Sequence, residues 1–235
     1  MSRRKFNLSW GQALAEILLI FIGITLAVAF NNWNEARKDA ALREGYYQRI
    51  LAELKQDRAD LKDIITYHNY RKVAIDGLFQ YLDKVNRPNA DSLQPMVQAL
   101  SYHMSSYVPN ESTYQELIST GNIRLIKTEV REQLLRLSQM HSYVVETQQA
   151  FESQYEDRRH QMAEVIDEAA FYEIRKNPKP KALAWQRDVD SEGFRRYSNL
   201  LAVRHKIAMT MMSIYESVDQ RCEALIALVE KETAE

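Results

Sequence analysis

The chain has 235 residues, 46% of them apolar, and a formal net charge of −1. A near-neutral chain offers no bulk field to nucleic acid or to an acidic polymer. It holds only six Gly and five Pro, about 5% of the residues, against an ordinary usage nearer ~12%. Turns consume both residue types, so a many-stranded β sandwich or barrel is disfavoured. The closest two glycines, Gly11 and Gly23, are 12 residues apart, which leaves no glycine loop to cradle a phosphate.

The chain opens on a basic tail, residues 1–11, with Arg3, Arg4 and Lys5 and no acid. Residues 13–30 follow as an apolar run whose one ionisable group is Glu16. Eighteen residues at ~1.5 Å each reach about 27 Å, close to the hydrocarbon thickness of a bilayer. Trp10 and Trp33 flank the run, where amphipathic rings settle at the headgroup level. These features predict one transmembrane helix over residues 12–34. A cleaved signal peptide is the competing reading, since Ala27-Val28-Ala29 has the form of a cleavage site. Helical character continues unbroken past Ala29, which favours the anchor. The basic residues of the two flanks tie in number. The tight cluster in the tail leans towards a cytoplasmic N-terminus, with the rest of the chain outside. The single Cys222 can form no intramolecular disulfide and does not decide the compartment.

Residues 35–86 lack proline and repeat apolar residues every three or four positions, from Tyr47, Ile50 and Leu54 to Leu78, Leu82 and Val85. That spacing predicts a long helix packed along one stripe, able to continue the span as a stalk. Asn86-Arg87-Pro88-Asn89 reads as a turn. A short helix is expected over 91–107, capped by Asp91 or Ser92, with Pro95 in its first turn. Ser112 to Gln115 fits a capping box opening a helix over 112–120 that stops at Gly121. Thr128 is the expected cap of a long helix to residue 174. Residues 175–190, with Pro178, Pro180 and the basic cluster Arg175, Lys176, Lys179 and Lys181, read as a solvated loop. A last long helix spans about 191–231, with an apolar seam from Phe194 to Val229.

Three heptad runs separated by loops predict an all-α protein: an N-terminal transmembrane helix followed by an antiparallel bundle of long helices. The seams read as bundle interior rather than as an intermolecular coiled coil. No internal repeat is visible.

The juncture Ala15-Glu16-Ile17-Leu18-Leu19, Ile22-Gly23-Ile24, Ala27 and then Asn31-Asn32-Trp33-Asn34-Glu35 resembles the start of a bacterial family known as domain of unknown function 6090. The stretch Tyr114-Gln115-Glu116-Leu117-Ile118-Ser119-Thr120-Gly121-Asn122-Ile123-Arg124-Leu125-Ile126 is also similar to it. Ala15 stands where that family is expected to carry Gly. The resemblance implies a single-span protein of the bacterial inner membrane with a helical extracytoplasmic domain, and it implies no activity.

Candidate sites are few. Glu16 is a carboxylate inside an apolar helix, a costly placement that points to assembly or to an ion-coupled role. Gly23 and Ala27 form a small-xxx-small face suited to close helix approach. Asn31, Asn32, Trp33 and Asn34 place three amides and a ring at the membrane exit, read as an interfacial cap with an anchor. Asp57, His68, Arg71, His141, Gln148, Arg158 and Arg204 interrupt the apolar seams, so a polar core layer is expected from them. The Asp157–His160 ladder, flanked by Glu156 and Glu164, reads as a solvated face and not as a di-iron motif. Cys222 lies on the seam and reads as core. No nucleophile elbow and no aromatic interleaving suited to nucleic acid are present.

The expectation is a non-enzymatic assembly module without cofactor, partnered by the lipid bilayer and by a homo-oligomer or a larger membrane complex. A sensor of small molecules, an accessory subunit of an ion-coupled complex and a bundle metalloenzyme are the alternatives.

Overall fold

The computed structural model describes residues 10–85, 88–100, 104–166 and 180–234. Among these the chain is all-helical, without strands. The first helix, α1, runs unbroken from Trp10 to Lys84. Its 75 residues make a rod of about 112 Å at ~1.5 Å per residue. The apolar run, long enough to cross a membrane, and the segment after it are therefore one helix, and nothing in residues 30–46, free of Pro and with only Gly45, breaks it.

α2 spans Ala90–Ala99, starting one residue earlier than the sequence suggests, because the Asn89 side chain accepts the Asp91 N–H at 2.9 Å, and ending well short of residue 107, whose backbone N–H and carbonyl bond to the Gln148 side chain instead of to a helix. Pro95 consequently sits in the second turn rather than the first. Lacking an N–H, it leaves the Asp91 carbonyl to solvent, which the exposure of both residues permits. α3 spans Ser112–Ser119. The expected capping box is not what closes its start. Glu53 reaches across from α1 and accepts the Thr113 N–H at 3.0 Å, the Thr113 hydroxyl at 2.7 Å and the Ser112 hydroxyl. Gly121 ends α3 in the left-handed region at φ 73°, as a C′ glycine should. A 3₁₀ turn, Asn122–Leu125, then leads to α4, Thr128–Ala163. Thr128 is the first helical residue and not its cap; Lys127 holds that place, with its N–H bonded to the Tyr47 hydroxyl at 3.2 Å.

α4 ends at Ala163, well before residue 174; residues 167–179, with Arg175, Lys176 and Lys179, lie outside the described residues. Pro180–Arg187 is a 3₁₀ helix where the sequence suggests a loop. Ser191 caps α5, Glu192–Ala234, by accepting the Phe194 N–H at 3.2 Å. Gly193 is needed here for space. A Cβ on it would lie 3.0 Å from the Trp185 Cβ.

α5 packs against both α1 and α4. All eleven of its seam positions, from Phe194 through Arg204 and Cys222 to Val229, are buried. On α1, burial begins at Tyr46 and Tyr47 and recurs at Ile50, Leu54, Asp57, Leu61, Ile64, His68, Ile75 and Leu78. Every residue from 14 to 33 is exposed. The core thus belongs to one part of the rod only.

Candidate functional site

Two sets of residues stand out, one on the bare part of α1 and one between the long helices. On the bare part, Glu16, Gly23, Ala27 and Asn34 follow one another at intervals of 7, 4 and 7 residues. At 3.6 residues per turn those intervals keep all four on a single stripe. Gly23 has no atom within 4 Å of the position a Cβ would take. Asn31 donates to Glu35 at 3.2 Å along the helix, and Asn32 is exposed beside it. Trp33 lies against Phe30 at 5.7 Å, and the Arg37 guanidinium lies 5.6 Å from the Trp33 ring centroid. A cation and two rings thus stand together at the end of the apolar run.

Between the helices, the polar seam residues fall into two levels. At the upper level His68 is buried between Tyr67, at 5.4 Å, and Tyr215, at 5.8 Å. Burial pushes its imidazole down to about 4, and the Arg204 charge adds to this. Arg204 is buried too; it donates to the Tyr67 hydroxyl at 3.1 Å and lies over the Tyr155 ring at 5.9 Å. Arg71 is half-buried over Tyr67, 5.2 Å from its ring centroid.

Gln148 joins this level to the next. Its Nε2 donates to the Tyr107 carbonyl at 2.9 Å, while its Oε1 accepts the Tyr107 N–H at 2.9 Å and the Tyr215 hydroxyl at 2.6 Å. A single amide thereby satisfies both backbone groups of a residue in the irregular segment 104–111. Tyr107 is held with its ring 6.0 Å from both His141 and Tyr215.

The lower level contains Asp57 from α1, His141 from α4 and Cys222 from α5, all buried. Asp57 accepts the Asn110 N–H at 3.1 Å through one oxygen. Burial pushes its carboxyl up, and that N–H opposes the shift. His141 Nδ1 meets Glu111 Oε1 at 2.9 Å. Burial raises the Glu111 carboxyl, but the hydrogen bond and charge of His141 outweigh it and the net shift is downward. Burial pushes the Cys222 thiol up to about 12.

The sequence expectations divide accordingly. Asp57, His68, His141 and Arg204 are buried, and Gln148 and Arg71 are half-buried beside them. Arg158 departs from the layer. It is exposed and donates to Gln161 at 2.9 Å on its own helix face. Asp157 and His160 are exposed, with Glu156 paired to Arg159 and Glu164 to Arg196, both at 2.7 Å. The sequence missed Tyr107, Glu111 and the link of His205 to Asp76 at 2.7 Å. Tyr107 and Glu111 stand in a segment without periodicity, so no pattern marks them. The thirteen-residue motif from Tyr114 to Ile126 docks on the start of the α1 core: Glu116 receives Arg49 at 2.7 Å and the Tyr46 hydroxyl at 3.1 Å.

The sequence model of the Family of unknown function (DUF6090) matches residues 16–152. The chain belongs to this family. The match begins at Glu16, takes in all of α1 beyond it, the docked motif and most of α4, and stops before α5. No curated protein matches the chain, and no solved structure does.

Proposed function

We propose that the chain is a membrane-anchored, non-enzymatic assembly module. Residues 12–34 cross the bilayer of a bacterial inner membrane once, the N-terminus lies in the cytoplasm, and an antiparallel helical bundle stands outside as a partner surface. The observation that carries this reading is the division of α1. Its residues 14–33 are exposed on every side although most are Leu, Ile, Val, Phe or Ala, whereas burial begins at Tyr46. Water is a poor solvent for such a segment, and a bilayer or a partner is a good one.

The bundle reading draws on cross-helix pairs. Lys55 meets Glu230 at 3.0 Å, Arg58 meets Asp219 at 2.7 Å and Asp76 meets His205 at 2.7 Å, so α5 numbers fall as α1 numbers rise. The assembly reading draws on the stripe. Glu16 has to reach the interface or find a partner, and Gly23 and Ala27 open a close approach for a second helix on the same side. Homo-oligomer packing through this stripe follows.

A sensor for organic ligands is supported less well. The cleft beside His141 holds about 20 Å³, which suits one water or ion. A larger groove of about 360 Å³ lies open along Asp60, Asp63, Tyr67 and residues 105–108.

The test is fractionation followed by crosslinking of the full chain in its host membrane. The expected result is a chain that resists alkaline extraction, with its bundle cut by protease added from the outer side. Crosslinked species should disappear in a Gly23→Leu, Ala27→Leu double variant. A chain released by alkali, or one recovered only as a monomer without partner, contradicts the proposal.

A further inference from the structure

The lower polar level has more unsatisfied polar chemistry than a bundle core ordinarily tolerates. Asp57 is 1% exposed, His141 3% and Cys222 0%. Asp57 Oδ2 and His141 Nε2 face each other at 4.0 Å, too far for a hydrogen bond, and neither has another partner. The Tyr107 hydroxyl turns towards Asp57 without forming a bond of good geometry and is unpartnered as well. One carboxylate oxygen, one ring nitrogen and the Cys222 sulfur lie within 4.8 Å of one another. Buried donors and acceptors left in this state are costly. Their spacing is too wide for mutual bonds, and a shared ion would have to draw them together by up to roughly 1 Å. Donors around a tetrahedral zinc ion stand roughly 3.3–3.8 Å apart, given metal–ligand distances of ~2.0–2.3 Å.

We propose that Asp57, His141 and Cys222 bind a zinc-class divalent transition-metal ion that ties α1, α4 and α5 together at one level. The donor set suits such an ion: a carboxylate, an imidazole and a thiolate are ligands for borderline-soft Zn²⁺ and a poor set for Ca²⁺ or Mg²⁺. The shell behind the ligands is also in place. Glu111 holds His141 Nδ1 at 2.9 Å, which fixes the ring so that Nε2 points inward as a neutral ligand. Asn110 holds the other Asp57 oxygen at 3.1 Å, leaving Oδ2 for the metal. Charge balances too, since a dication beside one carboxylate and one thiolate is neutral as a unit. Binding displaces the Cys222 thiol proton to solvent, together with the Asp57 proton where that carboxyl is protonated; no electron moves. The fourth corner falls to the Tyr107 hydroxyl or to a water. With its three protein ligands all buried, the ion would be shut away from solvent, and its role is structural.

The proposal does not depend on membrane attachment and is tested on the full chain purified in mild detergent. Zn²⁺ and Co²⁺ are offered both to the folded chain and during refolding, because the site is buried. The expected result is one Zn²⁺ per chain and, with Co²⁺, intense tetrahedral d–d bands with a thiolate-to-metal charge-transfer band. Cys222→Ser should abolish that charge-transfer band, and His141→Ala should weaken Zn²⁺ binding at least tenfold. Both variants should keep wild-type helicity in chelator. Mg²⁺ and Ca²⁺ should compete with neither ion. The wild-type spectrum decides the matter even where a variant fails to fold. A wild-type chain saturated with Co²⁺ that shows no thiolate charge-transfer band overturns the proposal, and so does Zn²⁺ uptake unchanged in Cys222→Ser. Either result leaves a buried water, or a bare hydrogen-bond cluster, at this level.

Discussion

The two halves of α1 share one backbone and differ in the solvent they suit. From Tyr46 to Leu78, apolar side chains recur every three or four residues and are buried against α5 and neighbouring elements, while the positions between them carry charge. From Leu14 to Trp33 apolar side chains cover the whole circumference and are exposed throughout; Leu18 keeps 62% of its surface exposed and Leu61 none. A stripe is the pattern of a helix with one dry face, and a full sleeve is the pattern of a helix with no wet face. The comparison teaches that the continuity of a helix says nothing about the continuity of its environment. Residues 35–45, rich in Glu, Arg, Lys and Asp, are the charged joint between the two regimes.

The largest effect should come from placing charge on the sleeve. Arginines at Ile22 and Leu26 together should cost about 5–7 kcal/mol of insertion, from ~2.5–3.5 kcal/mol per residue near a span's centre. Alkaline extraction should then release the chain, whereas its folded bundle melts as before. Removing packing on the other side should do the reverse. Leu61→Ala should lower bundle stability by about 2–5 kcal/mol, read by thermal or denaturant unfolding in detergent. Leu18→Ala should leave the same transition within about 0.5 kcal/mol, as expected of a residue outside the core.

Acidity should sharpen the contrast further, because His68 is a buried titrating group of the bundle. His68 has a folded value of about 4 against an ordinary 6.5. The unfolded chain therefore takes up the proton first as pH falls. Stability held by the neutral ring is complete above pH 6.5 and is lost progressively towards pH 4, by at most about 3 kcal/mol at ~1.36 kcal/mol per unit. His68→Gln, which has no proton to gain, should flatten the unfolding midpoint across that window. Membrane retention should not change with pH over the same range. A smaller loss than that of Leu61 or His68 concerns Gln148. Truncation to Ala leaves the two Tyr107 backbone groups and the Tyr215 hydroxyl without their partner and should cost about 2 kcal/mol, measured as a lowered unfolding midpoint. Exchange of the amides around Tyr107 should rise more than exchange in α1.

Much of this was legible in the sequence because helix periodicity is local information. The α5 seam from Phe194 to Val229 was readable in full, and the apolar sleeve was readable from composition. Gly121 followed from the need for a left-handed residue at a helix end. The misses have physical causes. A 3–4 spacing drifts by roughly 20° per heptad relative to a straight helix, so the seam of α4 carries Arg158 outward towards its far end. The cap of α3 is Glu53, a residue of another helix some sixty positions earlier, which no local motif encodes. The candidate metal level was half visible. Asp57 and His141 break the apolar seams and so read as a polar layer, whereas Cys222 fits its seam as a small hydrophobe and carries no such signal. Tyr107 and Glu111 lie on an irregular segment, and the three long helices alone decide that they face the same point.

The most direct test of the two-solvent account of α1 is a spin-label accessibility scan along residues 13–60 in lipid vesicles, with Cys222 buried and unreactive. The account predicts access by oxygen and exclusion of a polar relaxant at every position of 13–30, with at most a narrow protected stripe at Glu16, Gly23 and Ala27. It predicts access by the polar relaxant around residues 35–45, and a 3.6-residue period of protection beginning at Tyr46. A period of protection already present through residues 13–30 in detergent-free water, or free access of the polar relaxant there in vesicles, would contradict it.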